Sequence, residues 1–177
     1  AGDSDWIDND AGYHFNHKYG AGLIDARAAV TMALSWTNLG ARISDTITQT
    51  GLGVSIPDNN ASGVTRSFDF SSAGIRVEHV TVKVNITHAY RGDLEIVLTS
   101  PWGTESRLAE PHGDGGNDYA NWTFSTVRHW GESAAGTWVL KVADRSSGDA
   151  GTLNSAEVVI YGTQAAVSNL PPSIVVP

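Results

Sequence analysis

Two runs of alternating apolar and polar residues constrain the fold of this chain most strongly. The first covers residues 80–87 and the second covers residues 94–99, with Gly92 in the short turn between them. Alternation with period two places every second side chain on the same face of a pleated strand. The aliphatic residues at these positions are Val80, Val82, Val84, Ile86, Leu94, Ile96 and Leu98. The pattern predicts two core strands, and their closeness in sequence predicts an antiparallel pair.

Shorter patterns of the same kind occur throughout residues 41–163. They predict strands near Ile43, Val64, Trp122, Trp138 and Val158, and we expect both tryptophans to lie in the core. Glycine-rich stretches separate the runs, and residues 51–63 are predicted to form a loop. The fold class indicated is mainly β, a jelly-roll-like antiparallel β-sandwich of about seven to nine strands.

The first 40 residues have a different character. Residues 1–20 are irregular, whereas residues 23–36 are rich in alanine with apolar residues at helical spacing, which predicts a helix. Asp25 is expected in its first turn, where a negative charge complements the helix dipole. One amphipathic helix cannot bury its apolar face alone. We therefore expect its partner to lie upstream, and the chain to be a processed or excised piece of a longer protein.

These changes in composition predict three parts of the chain. Residues 1–40 are the end of a preceding domain and residues 41–163 are the β domain. Residues 164–177, with a Pro-Pro pair at 171–172, are a linker or tail.

The net charge of −8 and the absence of cysteine restrict the function. Binding of nucleic acid needs a basic surface, so we expect no nucleic-acid partner. Disulfides, thiolate metal sites and a cysteine nucleophile are excluded. No apolar run approaches the ~20 residues that span a membrane, so no membrane span is expected.

Calcium is the metal that suits the sequence best, because hard cations bind carboxylate oxygens in flexible loops. Candidate ligands lie in three glycine-containing loops of the β domain: Asp93, Asp114, Asp118, Asp144 and Asp149. The alternative is that these aspartates form turns by accepting hydrogen bonds from their own backbone. Both interpretations stay open.

Two short motifs have a functional and a structural interpretation. The sequons at Asn60, Asn85 and Asn121 are glycan acceptors in a secreted eukaryotic protein, or chance occurrences in an Asn/Ser/Thr-rich chain. The tripeptide Arg91-Gly92-Asp93 matches the integrin-recognition sequence. It leads directly into a core strand, which indicates a structural turn.

Several segments together resemble the P domain of the kexin/furin-like proprotein convertases. They agree with it in order and spacing over about 120 residues, and they are residues 88–104, 122–126, 130–132, 136–144, 151–153 and 159–163. The resemblance implies a jelly-roll-like β-sandwich that packs on a subtilisin-type catalytic domain and is needed for the folding and stability of that domain.

The N-terminal part resembles the last segment of the subtilisin-type catalytic domain itself. The matching pieces are residues 5–7, 17–20 and 22–26, followed by the alanine-rich helix. The family nucleophile lies in a Gly-Thr-Ser-Met-Ala motif, but the single methionine here, Met32, follows threonine. The Asp and His motifs of the family are absent too, so no catalytic residue is assigned and this chain alone is expected to be inactive.

By resemblance, the parent protein is a secreted, calcium-dependent serine endopeptidase. Its partners are the upstream catalytic domain and protein substrates, and its location is extracellular or secretory. A stand-alone jelly-roll module that binds protein or carbohydrate is the alternative function.

Overall fold

The computed structural model describes residues 2–71 and 73–164. These residues form one α-helix and eleven β-strands. In chain order they are β1 (Ile7–Asp8), β2 (His14–Phe15), α1 (Ala26–Ala33), β3 (Ile43–Gln49), β4 (Val54–Ile56), β5 (Val64–Asp69), β6 (Ile75–Thr87), β7 (Leu94–Thr99), β8 (Glu105–Ala109), β9 (Tyr119–Thr126), β10 (Thr137–Asp144) and β11 (Gly151–Gln164). The predicted tail, apart from its first residue, lies outside the described residues.

Nine of the strands form two antiparallel sheets, which confirms the predicted β-sandwich. One sheet has the order β5-β10-β7-β8, and the other has the order β3-β11-β6-β9, with β4 also paired to β11. The chain changes sheet between β6 and β7 and at each connection from β8 to β11. Repeated crossing of this kind is typical of a jelly roll.

The core lies between the sheets, and the two alternating runs line it as predicted. All seven of their aliphatic side chains are at most 1% exposed. Trp138 on β10 is also fully buried, and its indole N–H donates to the Ala134 carbonyl at 2.9 Å. A buried tryptophan needs such a partner for its one polar atom. The prediction of Trp138 as a core residue is therefore confirmed.

The prediction for Trp122 is wrong, because 48% of this side chain is exposed. Trp122 on β9 lies opposite Val84 on β6, so it shares the inner face of its sheet. However, β9 is at the edge of that sheet. The inner face of an edge strand can extend past the opposing sheet, and there its side chains remain in contact with water.

The predicted pairing of the two alternating runs is also wrong. β6 pairs with β11 and β9, whereas β7 pairs with β10 and β8 in the other sheet. A 3₁₀ turn, Arg91–Asp93, lies between them. Gly92 is buried in this turn, and a Cβ atom there would lie 2.5 Å from the carbonyl oxygens of His112 and Asp114. The turn therefore carries the chain across the sandwich and does not close a hairpin.

A short strand also occupies part of the predicted loop at 51–63. β4 pairs with Gly151–Leu153 of β11, and its residue Ile56 is fully buried. Three residues give too short an alternation to be recognised in the sequence.

The predicted helix is present but shorter than residues 23–36, since α1 covers Ala26–Ala33. Asp25 is the N-cap residue, outside the first turn, and its side chain accepts a hydrogen bond from the Ala28 N–H at 2.9 Å. Capping satisfies a donor that has no partner within the helix. No helix in the described residues is long and apolar enough to cross a membrane.

The longest strand pair of the sandwich contains an irregularity at Gly162. The register between β6 and β11 shifts between Tyr161 and Gly162. A Cβ atom at Gly162 would lie 1.9 Å from the Arg76 carbonyl oxygen. The added methyl group would clash with backbone, so no side-chain movement can relieve it.

We therefore expect Gly162→Ala to destabilise the sandwich by about 1–3 kcal/mol, the usual cost of overpacking. Gly113→Ala is the matched control, because a Cβ atom there meets no atom within 4 Å. Urea unfolding of the two variants measures the difference. Equal stability of the two variants would contradict the close contact at Gly162.

Candidate functional site

Asn9 fastens the N-terminal hairpin of β1 and β2 to the sandwich. It is 4% exposed, and its Nδ2 donates to the carbonyls of Arg128 at 3.1 Å and Trp130 at 2.9 Å. Its Oδ1 accepts from the Tyr13 N–H at 2.9 Å, which closes the hairpin. One side chain therefore joins the hairpin turn to the loop that follows β9.

Asp5 makes a second connection between the N-terminal residues and the sandwich. Its carboxylate accepts from the His17 N–H at 2.8 Å and lies 2.9 Å from His17 Nδ1. His17 Nε2 accepts from the Arg107 N–H at 3.0 Å, so the ring proton is on Nδ1 and is donated to Asp5. Burial raises the pKa of Asp5, but the His17 hydrogen bonds and the Arg128 charge lower it to below its ordinary value.

Glu132 is the centre of a buried polar group beneath the same hairpin. Its side chain is fully buried, and it accepts hydrogen bonds from the Thr104 hydroxyl and the Asp10 N–H. Its Oε2 lies 3.6 Å from Nδ1 of the equally buried His129, too long for a hydrogen bond. Burial raises the pKa of Glu132, but His129 and Thr104 lower it more, and the pKa lies below its ordinary value.

We refer to residues 23–39 as the docking segment, because its apolar side chains are left in water. No residue of α1 is buried. Seven large apolar side chains of the segment are at least 55% exposed: Leu23, Ile24, Val30, Met32, Leu34, Trp36 and Leu39. An apolar patch of this kind marks an interaction surface. The predicted unit 1–40 thus contains an anchored hairpin and an exposed docking segment, and its boundary at residue 40 stays a prediction.

Two of the candidate calcium ligands, Asp118 and Asp144, lie on either side of His88. Asp118 Oδ1 accepts from the His88 N–H at 2.8 Å, and the Asp118 N–H donates to the His88 carbonyl at 3.0 Å. His88 Nε2 lies 3.3 Å from Asp144 Oδ2, and both side chains are fully buried. Asp144 Oδ1 also accepts from the Ser146 N–H at 3.0 Å.

The other three candidate ligands differ from one another in their positions and contacts. Asp114 accepts from Arg91 Nε at 2.7 Å and from the Gly116 N–H at 2.8 Å, and the Arg91 hydrogen bond lowers the pKa of Asp114. Asp93 ends the 3₁₀ turn, and Asp149 lies in the turn before β11.

No group of three His, Cys, Asp or Glu side chains in the described part of the chain is arranged to hold a metal. Asp114 and Asp144 each accept from the backbone N–H two residues further on. This is the hydrogen bond of the turn-former interpretation. A calcium site at these aspartates stays a prediction.

The sequence did not indicate the residues that anchor the hairpin. Asn9, Arg128 and Glu132 occur in irregular stretches, and a polar side chain that bonds to distant backbone has no periodic pattern. The only available signal was the Trp-Gly-Glu sequence at 130–132. It is one of the segments that resemble the family, but the resemblance assigned no role to Glu132. The structural role of Arg91-Gly92-Asp93 as a turn is confirmed.

Because the pKa of Glu132 is lower in the folded protein, its charge stabilises the fold above the ordinary glutamate pKa of about 4.3. This contribution is lost as the pH falls through the folded-state pKa. We expect Glu132→Gln to cost about 1–3 kcal/mol of unfolding free energy at pH 7 and less at about pH 3. Urea unfolding at both values measures the change.

Glu105→Gln is the control for that variant, because Glu105 is exposed on β8. It should have little effect at either pH. A Glu132→Gln penalty that is the same at both pH values would contradict the role of the carboxylate charge.

Comparison with known proteins places these features in a family. A family model described as the proprotein convertase P-domain matches residues 77–160. A PC3-like endoprotease (variant B) of Hydra vulgaris is 39% identical over 153 residues, which are 83% of this chain and 22% of the relative. Mouse furin is 34% identical over 175 residues, which are 95% of this chain and 22% of furin. The chain thus spans about a fifth of the length of these relatives.

The fold comparison agrees with the sequence comparison. The crystal structure of a serine protease of Aeromonas sobria superposes with a TM-score of 0.75 at 27% identity, covering 89% of this chain and 33% of the protease. The same protease in complex with its chaperone gives a TM-score of 0.78. Residues 77–160 of the sandwich therefore belong to the proprotein convertase P-domain family, and the chain is similar in sequence to furin and in fold to the Aeromonas sobria protease.

Proposed function

We propose that this chain is the C-terminal portion of a secreted kexin/furin-like serine endopeptidase, in which the P domain stabilises the catalytic domain. The observation that carries the proposal is α1, an eight-residue helix with no buried residue. An isolated helix of this length is not stable in water. The helix and its neighbours therefore need a partner surface to cover their apolar side chains.

The proposed partner surface belongs to a subtilisin-type catalytic domain in the same protein. The match to mouse furin covers 95% of this chain, so it extends beyond the P domain into the N-terminal residues. The Aeromonas sobria serine protease likewise matches 89% of the chain as part of a much larger protein. Both comparisons support a continuous unit in which the docking segment packs against the protease.

The size of the exposed surface makes such docking favourable. Each large apolar side chain that becomes fully buried contributes about 1.5–3 kcal/mol. Seven such side chains are exposed in the docking segment. Even after the loss of side-chain freedom on ordering, several kcal/mol remain for stabilising both partners.

The proposed activity of the whole protein is cleavage of protein substrates through an acyl-enzyme. A serine attacks the peptide carbonyl and a histidine accepts its proton. The family's Gly-Thr-Ser-Met-Ala nucleophile motif does not occur in this sequence. The role proposed for this chain is to hold the catalytic domain in its folded form, outside the cell or in the secretory pathway.

The proposal includes one structural calcium ion in the β domain. The 3₁₀ turn at Asp93, the loop of Asp114 and Asp118, and the turn after Asp144 are hydrogen-bonded to one another at one end of the sandwich. This end offers carboxylate and carbonyl oxygens, the ligands that calcium prefers. The ion would reduce the repulsion between these carboxylates.

In the full-length protease, Leu34→Asp should weaken domain docking by about 2 kcal/mol or more, because Leu34 is 86% exposed in this chain and would be buried by the partner. Thermal melting and peptidase activity measure the effect. Glu105→Gln, at an exposed residue of β8 outside the docking segment, is the control and should leave both unchanged. If Leu34→Asp has no effect and the chain alone is monodisperse, the stand-alone binding module would be favoured.

Calcium should raise the melting temperature of this chain relative to a solution with excess chelator. Binding at 100 times the dissociation constant corresponds to about 2.7 kcal/mol. Asp118→Asn should abolish the difference, whereas Asp45→Asn, at a half-buried residue of β3, should retain it. A melting temperature that does not respond to calcium would remove the ion from the β domain.

A further inference from the structure

His17 joins the N-terminal residues to one edge of the sandwich. It lies in a tight turn after β2, which is closed by two backbone hydrogen bonds between Asn16 and Gly20, both at 2.9 Å. Its Nε2 accepts from the Arg107 N–H of β8 at 3.0 Å. β8 is an edge strand, so an N–H that faces away from β7 has no partner within the sheet. His17 supplies the acceptor that this N–H would otherwise lack.

The hydrogen bond from Arg107 requires a neutral imidazole. A neutral ring has one nitrogen that donates and one that accepts, whereas both nitrogens of the imidazolium donate. In His17, Nδ1 donates to Asp5, whose two carboxylate oxygens both lie 2.9 Å from it, and Nε2 is the acceptor. A proton on Nε2 would face the Arg107 N–H, and two donors cannot bond to each other. Protonated His17 can therefore keep Asp5 but has to release Arg107.

Acidification favours the released form of this contact. Released His17 can bind one proton more than His17 in contact with Arg107, and a fall in pH favours the form that binds more protons. Histidine is the side chain whose charge ordinarily changes between about pH 5 and pH 8. The His17 side chain is 22% exposed, so protons from the solvent reach it. Asp5 acts in the same direction, because a carboxylate stabilises an imidazolium beside it.

The other charged groups around the ring balance one another. Two cavities, of about 430 and 280 Å³, border His17. Three carboxylates and three cations line them: Asp5, Glu95, Glu105, Arg107, Arg128 and Lys141. Glu95 pairs with Lys141 at 2.9 Å, and the Arg107 guanidinium pairs with Glu110 at 3.3 Å. Lys18, the next residue after His17, pairs with Asp3 at 2.8 Å.

Of these charged side chains, Asp5 is the one that is hydrogen-bonded to the His17 ring. Its carboxylate also lies 3.8 Å from the Arg128 guanidinium. The two direct contacts of the ring, with Asp5 and with the Arg107 N–H, therefore decide its preferred charge. The bordering cavities leave room for the ring to turn when Arg107 is released.

We propose that the contact between His17 and Arg107 is a pH-sensitive switch, closed when His17 is neutral and open when it is protonated. Residues 18–22 lead from His17 to the docking segment, so opening gives that segment more freedom. Asn9 is a separate anchor, and its hydrogen bonds to the carbonyls of Arg128 and Trp130 involve no titrating group. The hairpin turn therefore stays attached in both forms. This inference does not rest on the proposed protease function, because both partners of the switch belong to this chain.

A hydrogen bond between two nitrogen atoms can be observed directly by NMR. In the ¹⁵N-labelled chain, the Arg107 amide nitrogen and His17 Nε2 should show a scalar coupling across the hydrogen bond at about pH 8. The coupling should be lost at about pH 5. The Arg107 N–H signal should shift with the same midpoint as the His17 ring nitrogens. Its protection from hydrogen exchange, corrected for the intrinsic pH dependence of exchange, should fall by a factor of about 2–10, as expected for one net hydrogen bond.

His17→Gln separates protonation from structure. The amide oxygen of glutamine can accept from the Arg107 N–H and its nitrogen can donate to Asp5, but this side chain does not titrate. The pH dependence of the Arg107 signal should therefore be abolished. His14→Gln is the matched control, because His14 lies in the same hairpin and pairs with the exposed Asp8 at 2.6 Å. This variant should keep the pH dependence at Arg107.

The unsubstituted chain decides the matter even if a variant fails to fold. A His17 ring that gains its second proton without any change at the Arg107 N–H would overturn the switch, and so would a ring that stays neutral down to about pH 5. A change at Arg107 that persists in His17→Gln with the same midpoint would also contradict it. Loss of the protected Asn9 side-chain N–H signals at that midpoint would show that the whole hairpin detaches, which would overturn a switch confined to His17. Unchanged ¹⁵N relaxation of residues 18–22 would contradict the release of the docking segment.

Discussion

Contact between the inner faces of the two sheets is the interaction on which the rest of the structure depends. Trp138, the aliphatic residues of β6 and those of β7 are excluded from water there. Their burial fixes the position of each strand in the sandwich, and therefore which loops lie next to one another at each end. The turn at Arg91–Asp93, the loop containing Asp114 and the turn after Asp144 consequently gather at one end of the sandwich. The N-terminal hairpin is hydrogen-bonded to the surface that the two sheets and their loops form.

The sequence was sufficient to predict the strands and their buried faces but not their partners. Alternation is a property of one strand, whereas pairing depends on the whole topology. Adjacent strands joined by a short turn usually pair. Here the turn leads into the other sheet, and its Gly92 lies close to two backbone carbonyls. Trp122 shows the same limit, since its position on the inner face was predictable and its position at the sheet edge was not.

The polar contacts of the hairpin were beyond prediction for a different reason. Asn9 is separated from Arg128 by 119 residues, and Asp5 from Arg128 by 123. No local pattern signals a hydrogen bond between a side chain and such a distant backbone group. The candidate calcium ligands had a clear compositional signal, but composition does not distinguish a metal ligand from a turn-former. Asp114 and Asp144 each accept a hydrogen bond from the backbone N–H two residues further on. A carboxylate that can form a turn in this way is also the kind of group that binds calcium, so the same residue type gives both interpretations.

The N-terminal hairpin and the docking segment are consecutive in the chain, so the anchoring of one affects the other. The hairpin is held by Asn9, Asp5 and His17, and β3 is held in the sheet from Ile43. The docking segment is therefore tethered at both ends. A tethered segment meets a partner in the same protein at a high effective concentration, so less freedom is lost when it docks. In the proposed function, polar anchoring of the hairpin would make apolar docking of α1 more favourable without any added contact.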